Sequence, residues 1–182
     1  MNIVFRKIKD GDLEAIRNWR MLEEVTKYMY TDPELSQEDQ ERWYRKISTD
    51  PTCVYWILQV DGRDIGLVCL TNIDRLNRRA NWAYYIAEPT LRGKGLGKQL
   101  ELNILYYVFD VLTLNKLCCE VFAWNENVIS IHEHFGSKIE GRRRAHICKD
   151  GQFQDIVKMA ILKDEWEQIK KDYTRIPALF EE

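Results

Sequence analysis

The chain has 182 residues, which fits one domain spanning 1–182 with a sizeable core. Hydrophobic residues make up 45% and charged residues 31%, ordinary for a soluble globular protein. With 27 basic and 29 acidic residues the net charge is −2, so nothing points to nucleic acid or a membrane surface as a partner. No apolar run reaches the ~20 residues of a membrane span, and Met1-Asn2-Ile3-Val4-Phe5-Arg6 does not read as a signal peptide. A cytoplasmic location is expected.

Five cysteines, at 53, 69, 118, 119 and 148, are odd in number and contain no Cys-x-x-Cys. The histidines at 132, 134 and 146 form no ligand cluster with them. Reduced thiols and no bound metal are the expectation.

Ile3 to Ile8 alternates apolar and basic residues, as a strand with one buried face does. Asp10-Gly11-Asp12 offers cap residues for a helix carrying Leu13, Ile16 and Trp19. Val25 to Leu35 is less regular. Ser36-Gln37-Glu38-Asp39 resembles a helix start, and Gln40 to Ile47 continues it. Cys53 to Val60 and Ile65 to Ile73 read as strands joined by the hairpin signal Asp61-Gly62. Asn81 to Ala87 is the next strand, with Trp82, Tyr84 and Ile86 on one face and Ala83, Tyr85 and Ala87 on the other.

A break at Glu88-Pro89-Thr90 then leads into Leu91-Arg92-Gly93-Lys94-Gly95-Leu96-Gly97-Lys98-Gln99 and a helical pattern from Leu100 to Leu112. Strand, glycine-rich turn and helix in that order aim several backbone N–H groups and the positive end of the helix dipole at one spot. Glycines let a phosphate approach that backbone closely. The spacing is neither Gly-x-x-x-x-Gly-Lys-Ser/Thr nor the dinucleotide fingerprint Gly-x-Gly-x-x-Gly; it is Arg-x-x-Gly-x-Gly.

Lys116 to Trp124 is an apolar strand interrupted by Glu120. Val128, Ile131, His132 and Phe135 mark one face of a helix. Ile139 to Cys148 and Phe153 to Leu162 flank the turn Lys149-Asp150-Gly151, and a polar helix from Lys163 to Tyr173 follows. Antiparallel strands followed by strand–helix–strand units make a mixed α/β sheet.

This layout resembles the GCN5-related N-acetyltransferases, and the resemblance covers nearly the whole chain. It is carried by Arg92-Gly93-Lys94-Gly95-Leu96-Gly97, by Glu120 to Asn127, and by His132-Glu133-His134-Phe135-Gly136. It implies an α/β fold with a mixed, mostly antiparallel sheet of about seven strands, flanked by helices and splayed where acetyl-CoA binds. Three regions look closest to the amino-sugar acetyltransferases of the pseudaminic acid pathway. They are Trp19-Arg20 with Lys27 to Asp32, then Ile131 to Gly136, and Glu140-Gly141-Arg142 with Lys149-Asp150-Gly151 and Glu165-Trp166. The third also resembles ribosomal-protein N-terminal acetyltransferases.

The resemblance implies acetyl transfer from acetyl-CoA to a primary amine by direct attack. The acceptor expected is the 4-amine of a UDP-4-amino-4,6-dideoxy sugar, of the UDP-4-amino-4,6-dideoxy-N-acetyl-β-L-altrosamine type. The alternatives are a ribosomal-protein N-terminus or a polyamine, and beyond these a non-catalytic acyl-CoA-binding module. The oligomeric state is left open, a homodimer included.

By resemblance, the backbone of Tyr85, Ile86 and Ala87 pairs with pantetheine. Arg92, Gly93, Lys94, Gly95, Leu96, Gly97 and Lys98 hold the pyrophosphate, and Asn125 contacts the pantetheine arm. Lys98 also reads as a solvated cation, and Asn125 as a turn or capping amide. Met29, Tyr30, Trp43 and Tyr84 would wall the acceptor, or simply pack in the core.

A protonated amine near pKa 10.4 costs about 4–5 kcal/mol to neutralise at neutral pH, so a base is useful. Glu120 is the candidate, with burial raising its pKa; the competing reading is an acid on a wet face or one paired with an arginine. His132 stands where the family usually has a tyrosine near the thioester sulfur. It is the candidate to protonate the departing thiolate, against a core histidine in the stripe 128–131–132–135.

Overall fold

The computed structural model describes residues 1–91 and 95–181. Eight strands form one mixed sheet: β1 (Ile3–Lys7), β2 (Val54–Val60), β3 (Arg63–Asp74), β4 (Arg79–Ile86), β5 (Lys116–Phe122), β6 (Lys138–Lys149), β7 (Gln152–Leu162) and β8 (Leu179–Phe180). Their order is β6-β7-β5-β4-β3-β2-β1-β8. The helices are α1 (Leu13–Met21), α2 (Glu23–Thr26), α3 (Gln37–Thr49), α4 (Leu96–Tyr106), α5 (Glu126–His134) and α6 (Lys163–Ile169). Among the described residues, no helix is long and apolar enough to cross a membrane.

The chain divides into two compact units, Met1–Asn72 with Ala83–Gly97 and Ile176–Glu182, and Ile73–Trp82 with Lys98–Arg175. In the first, β1 pairs antiparallel with β2 and β2 with β3. The β2–β3 turn is Asp61-Gly62 at φ 49° and 80°, the left-handed pair that a two-residue hairpin demands. Ile8, Ile16, Ile57 and Leu67 form a buried cluster against which Trp19, Trp43, Tyr55 and Tyr85 pack. Ser36 caps α3: its hydroxyl accepts the Asp39 N–H at 3.1 Å, and the Asp39 carboxylate accepts the Ser36 N–H at 3.1 Å.

The expected sheet of about seven strands has an eighth. β8 pairs parallel with β1, Phe180 stacks on Phe5 with centroids 4.1 Å apart, and Trp56 donates its indole N–H to the Glu181 carbonyl at 3.1 Å. A two-residue strand has no periodicity to read; only its distant partner defines it.

In the second unit, β5 pairs antiparallel with β7 and β7 with β6. The parallel ladder between β4 and β5 covers only Arg79–Asn81 against Lys116–Cys118, the first three residues of each strand. α4 is buried nearly all round: Leu100, Leu102, Ile104 and Leu105 are enclosed, and so are Glu101 and Asn103. It runs into a π-helical turn, Tyr107–Val111, where the expected helix continued to Leu112. Asp110 of that turn accepts the Trp166 indole N–H and the Lys170 ammonium, each at 2.9 Å.

α5 ends in a Schellman turn. The Ser137 N–H reaches the His132 carbonyl at 2.9 Å and the Gly136 N–H reaches that of Glu133 at 3.0 Å, with Gly136 at φ 89°. The expected apolar stripe on α5 holds for His132 and Phe135, which are buried, whereas Ile131 is 40% exposed.

Candidate active site

Within the first unit, α1, α3 and strands β2, β3 and β4 surround a cavity of about 380 Å³. Of the expected acceptor residues, Met29, Trp43 and Tyr84 line it, and Tyr30 does not. Trp43 meets Tyr55 edge to face, with ring centroids 5.3 Å apart. The Tyr85 side chain also lines the cavity, although sequence reasoning gave this residue a backbone role only. Alternation along β4 does not separate Tyr84 from Tyr85 here.

Further polar residues line the cavity, Arg20 and Gln40 among them. Arg20 follows Ile16 by four residues on α1, and that spacing was the signal for it. One of its guanidinium nitrogens, Nη2, donates to the Thr31 carbonyl at 3.1 Å and to the Thr31 hydroxyl at 2.9 Å. Burial pulls the Arg20 pKa down against the pull of Tyr85 and Asp32, but a guanidinium stays charged at any ordinary pH. Gln40, on α3, is 4% exposed. Burial raises the Tyr85 phenol well above its usual value, so it keeps its proton. Burial likewise pushes the Cys69 thiol, also in the wall, up to about 12, which leaves it unreactive.

Gly66 of β3 is fixed by its neighbour: a Cβ there would lie 2.1 Å from the Tyr85 carbonyl oxygen. Only glycine lets β3 come this close to β4 at the cavity.

The glycine turn is described from Gly95 onward; Arg92, Gly93 and Lys94 lie outside the described residues. Gly95 has φ 77° and open space where a side chain would stand. α4 begins at Leu96, which is buried, directly after Gly95. The Ala87 N–H, however, donates to the Ile65 carbonyl at 2.8 Å and is not available to pantetheine. Lys98 turns its ammonium to the Tyr173 ring, 5.6 Å from the centroid, the behaviour of a helix-end cation.

His132 is 3% exposed. Its Nδ1 lies 2.9 Å from the Glu101 carboxylate, its ring meets Trp82 edge to face at 5.5 Å, and Cys119 also hydrogen-bonds it. Burial works to lower the imidazole pKa, but Cys119 and Glu101 outweigh it and hold the pKa well above the usual histidine value. Burial raises the Glu101 pKa, with His132 pulling it down. Sequence reasoning missed Glu101, whose partner is 31 residues away. These contacts match the core-histidine reading more closely than that of a proton donor to a thiolate.

Glu120 is not buried as expected. Its side chain is 26% exposed and lies 3.6 Å from both Arg143 and Lys158. Antiparallel pairing of β5 with β7 sets Glu120 opposite Lys158. Asn125 is the N-cap of α5 through its backbone, without a side-chain cap bond. Among the described residues, no group of three or more His, Cys, Asp or Glu could hold a metal ion.

A strand leading through a glycine turn into a helix, beside an open mixed sheet, defines the class of acyl-CoA-using transferases. Residues 2–138 match the acetyltransferase (GNAT) domain, and the chain belongs to that family. It is an acetyl-CoA-dependent N-acetyltransferase. The chain is 28% identical to a spermidine N(1)-acetyltransferase of Vibrio cholerae over 165 residues, 90% of this chain and 95% of that one. A structure of spermidine N-acetyltransferase from Vibrio cholerae, in complex with CoA and spermine, superposes with a TM-score of 0.84 at 27% identity, covering 91% and 98% of the two chains. The acetyltransferase PseH of Campylobacter jejuni is 27% identical over 146 residues, 79% of this chain and 89% of that one.

Proposed function

We propose that the chain acetylates the primary amine of a small molecule held in the cavity lined by Met29, Trp43, Tyr84 and Tyr85. The observation that carries this reading is the cavity itself, walled in part by β4, the strand that leads to the glycine turn. Its apolar and aromatic walls with few polar groups suit a small ligand. The pyrophosphate of acetyl-CoA would lie against Gly95, Leu96 and Gly97, with Arg92, Gly93 and Lys94 completing the motif.

Two acceptors are supported by different observations. Similarity over most of both chains favours a polyamine, as in the spermidine N-acetyltransferases. Aromatic walls and a guanidinium favour a nucleotide-linked amino sugar, because a polycation needs carboxylates. Asp39 is the lining carboxylate, and it is engaged by Ser36 and Arg42.

The test is CoA release from acetyl-CoA with spermidine, a UDP-linked 4-amino-4,6-dideoxy sugar and a peptide amine. Turnover with a small amine and none with the peptide is expected. Turnover with the peptide alone, or with no amine at all, would overturn the reading.

A further inference from the structure

Among the described residues, five buried side-chain nitrogen or oxygen atoms have no hydrogen-bond partner, and three of them belong to residues lining this one cavity. They are Nη1 of Arg20, Nε2 of Gln40 and the hydroxyl of Tyr85. The first two are donors only, and the third carries a proton to donate. An unsatisfied buried donor is costly, a charged one more so, and three around one cavity is not a neutral arrangement.

All three lack the same thing, an acceptor. Asp39 also lines the cavity, but its carboxylate accepts from the Ser36 hydroxyl and N–H and from Arg42. Thr31 takes only Nη2 of Arg20. The apolar remainder of the wall, with Ile16, Met29, Leu35, Leu67 and Trp43, supplies no acceptor.

We infer that the acceptor substrate carries an oxyanion, a carboxylate or a phosphoryl group, in addition to its amine. Arg20, with Gln40 and Tyr85, recognises that group. Arginine suits both sources, since its planar fork pairs with carboxylate and phosphate alike. This rests on the cavity being the acceptor site of the proposed function, and it discriminates between the two acceptors above. A polyamine brings only donors and positive charge, so it would leave all three orphans unpaired beside a guanidinium.

The test separates binding from turnover. UDP, an N-acetyl amino acid and spermidine are titrated calorimetrically into the wild-type protein and into Arg20→Gln and Tyr85→Phe. Melting curves confirm that each variant folds, and Tyr85→Phe, which removes one hydroxyl, serves if Arg20→Gln does not. Binding of UDP or the N-acetyl amino acid, weakened about tenfold or more by Arg20→Gln and severalfold by Tyr85→Phe, is expected. Whichever of the two binds identifies the oxyanion as phosphoryl or carboxylate. Spermidine bound more tightly than both, or oxyanion binding unchanged in both variants, would overturn the inference. CoA release tests the proposed function separately: no turnover with any small amine would sink that reading and this inference with it, whereas turnover without Arg20-dependent oxyanion binding would sink this inference alone.

Discussion

Nδ1 of His132 lies 2.9 Å from the carboxylate of Glu101, and both residues are almost wholly enclosed, at 3% and 2% exposure. Removing one partner of such a pair strands the other, at about 3–5 kcal/mol, whereas replacing both with apolar residues is often close to neutral. His132→Leu alone is therefore expected to lower stability by about that amount, and His132→Leu with Glu101→Leu to recover most of it. Urea unfolding measures both. A double variant as unstable as the single one would show that the pair is not the source.

The same pair sets a pH dependence. Both groups have folded pKa values raised above their unfolded ones, so the native state binds more protons than the unfolded state. Stability from His132 is fully present below the ordinary histidine value near 6.5 and is lost as pH rises through its raised folded value. Stability from Glu101 fades in the same direction. Unfolding free energy should fall from mildly acidic to alkaline pH, and the slope should flatten in the double variant. A parallel slope in both proteins would remove the pair as the cause.

Glu120 faces Arg143 and Lys158 at 3.6 Å each. We expect Glu120→Gln to leave the pH–rate profile in place and to change kcat less than about tenfold, below the usual loss of a general base. Loss of the acidic limb of the profile would restore Glu120 as the base.

At Gly66 a methyl group would meet the Tyr85 carbonyl at 2.1 Å, and a backbone atom cannot swing aside. Gly66→Ala should cost about 1–3 kcal/mol and raise the acceptor KM by disturbing the Tyr84–Tyr85 wall. Thermal melts and acceptor titrations read the two effects. A variant with wild-type values in both would refute the close approach.

Removing residues 179–182 takes away β8 and the acceptor of the Trp56 indole N–H. Trp56 is 1% exposed, so losing that hydrogen bond should cost about 0.5–1.5 kcal/mol, besides the lost stacking of Phe180 on Phe5. A melting temperature unchanged by the deletion would show that β8 contributes nothing.

What the sequence made legible was local. Asp61-Gly62 and Asp150-Gly151 announced hairpins because both residues of each must take positive φ, and all four do. Ser36 with Asp39 announced a helix start through a bond between residues three apart. The strand before the glycine motif and the helix after it were legible for the same reason. Met29, Tyr30, Trp43 and Tyr84 came from the family resemblance, and the structure gathers all but Tyr30 around one cavity.

What stayed hidden depended on distant partners. A carboxylate at 101 in a run of leucines reads as a helix-surface residue until His132 closes over it. Glu120 looked buried because its sequence neighbours are apolar, yet Arg143 and Lys158 come to it from β6 and β7. Ile131 fell on the predicted inner face of α5, but the face is rotated enough to leave it 40% exposed.

The pairing of β1 with β8 joins segments far apart in the order of synthesis. Leu179 and Phe180 leave the ribosome some 175 residues after their partners Val4 and Phe5. Until then the outer edge of β1 stays open to any other strand, including β1 of a second nascent chain. The late arrival of a two-residue strand thus doubles as a safeguard: it closes that edge once the rest of the sheet is made.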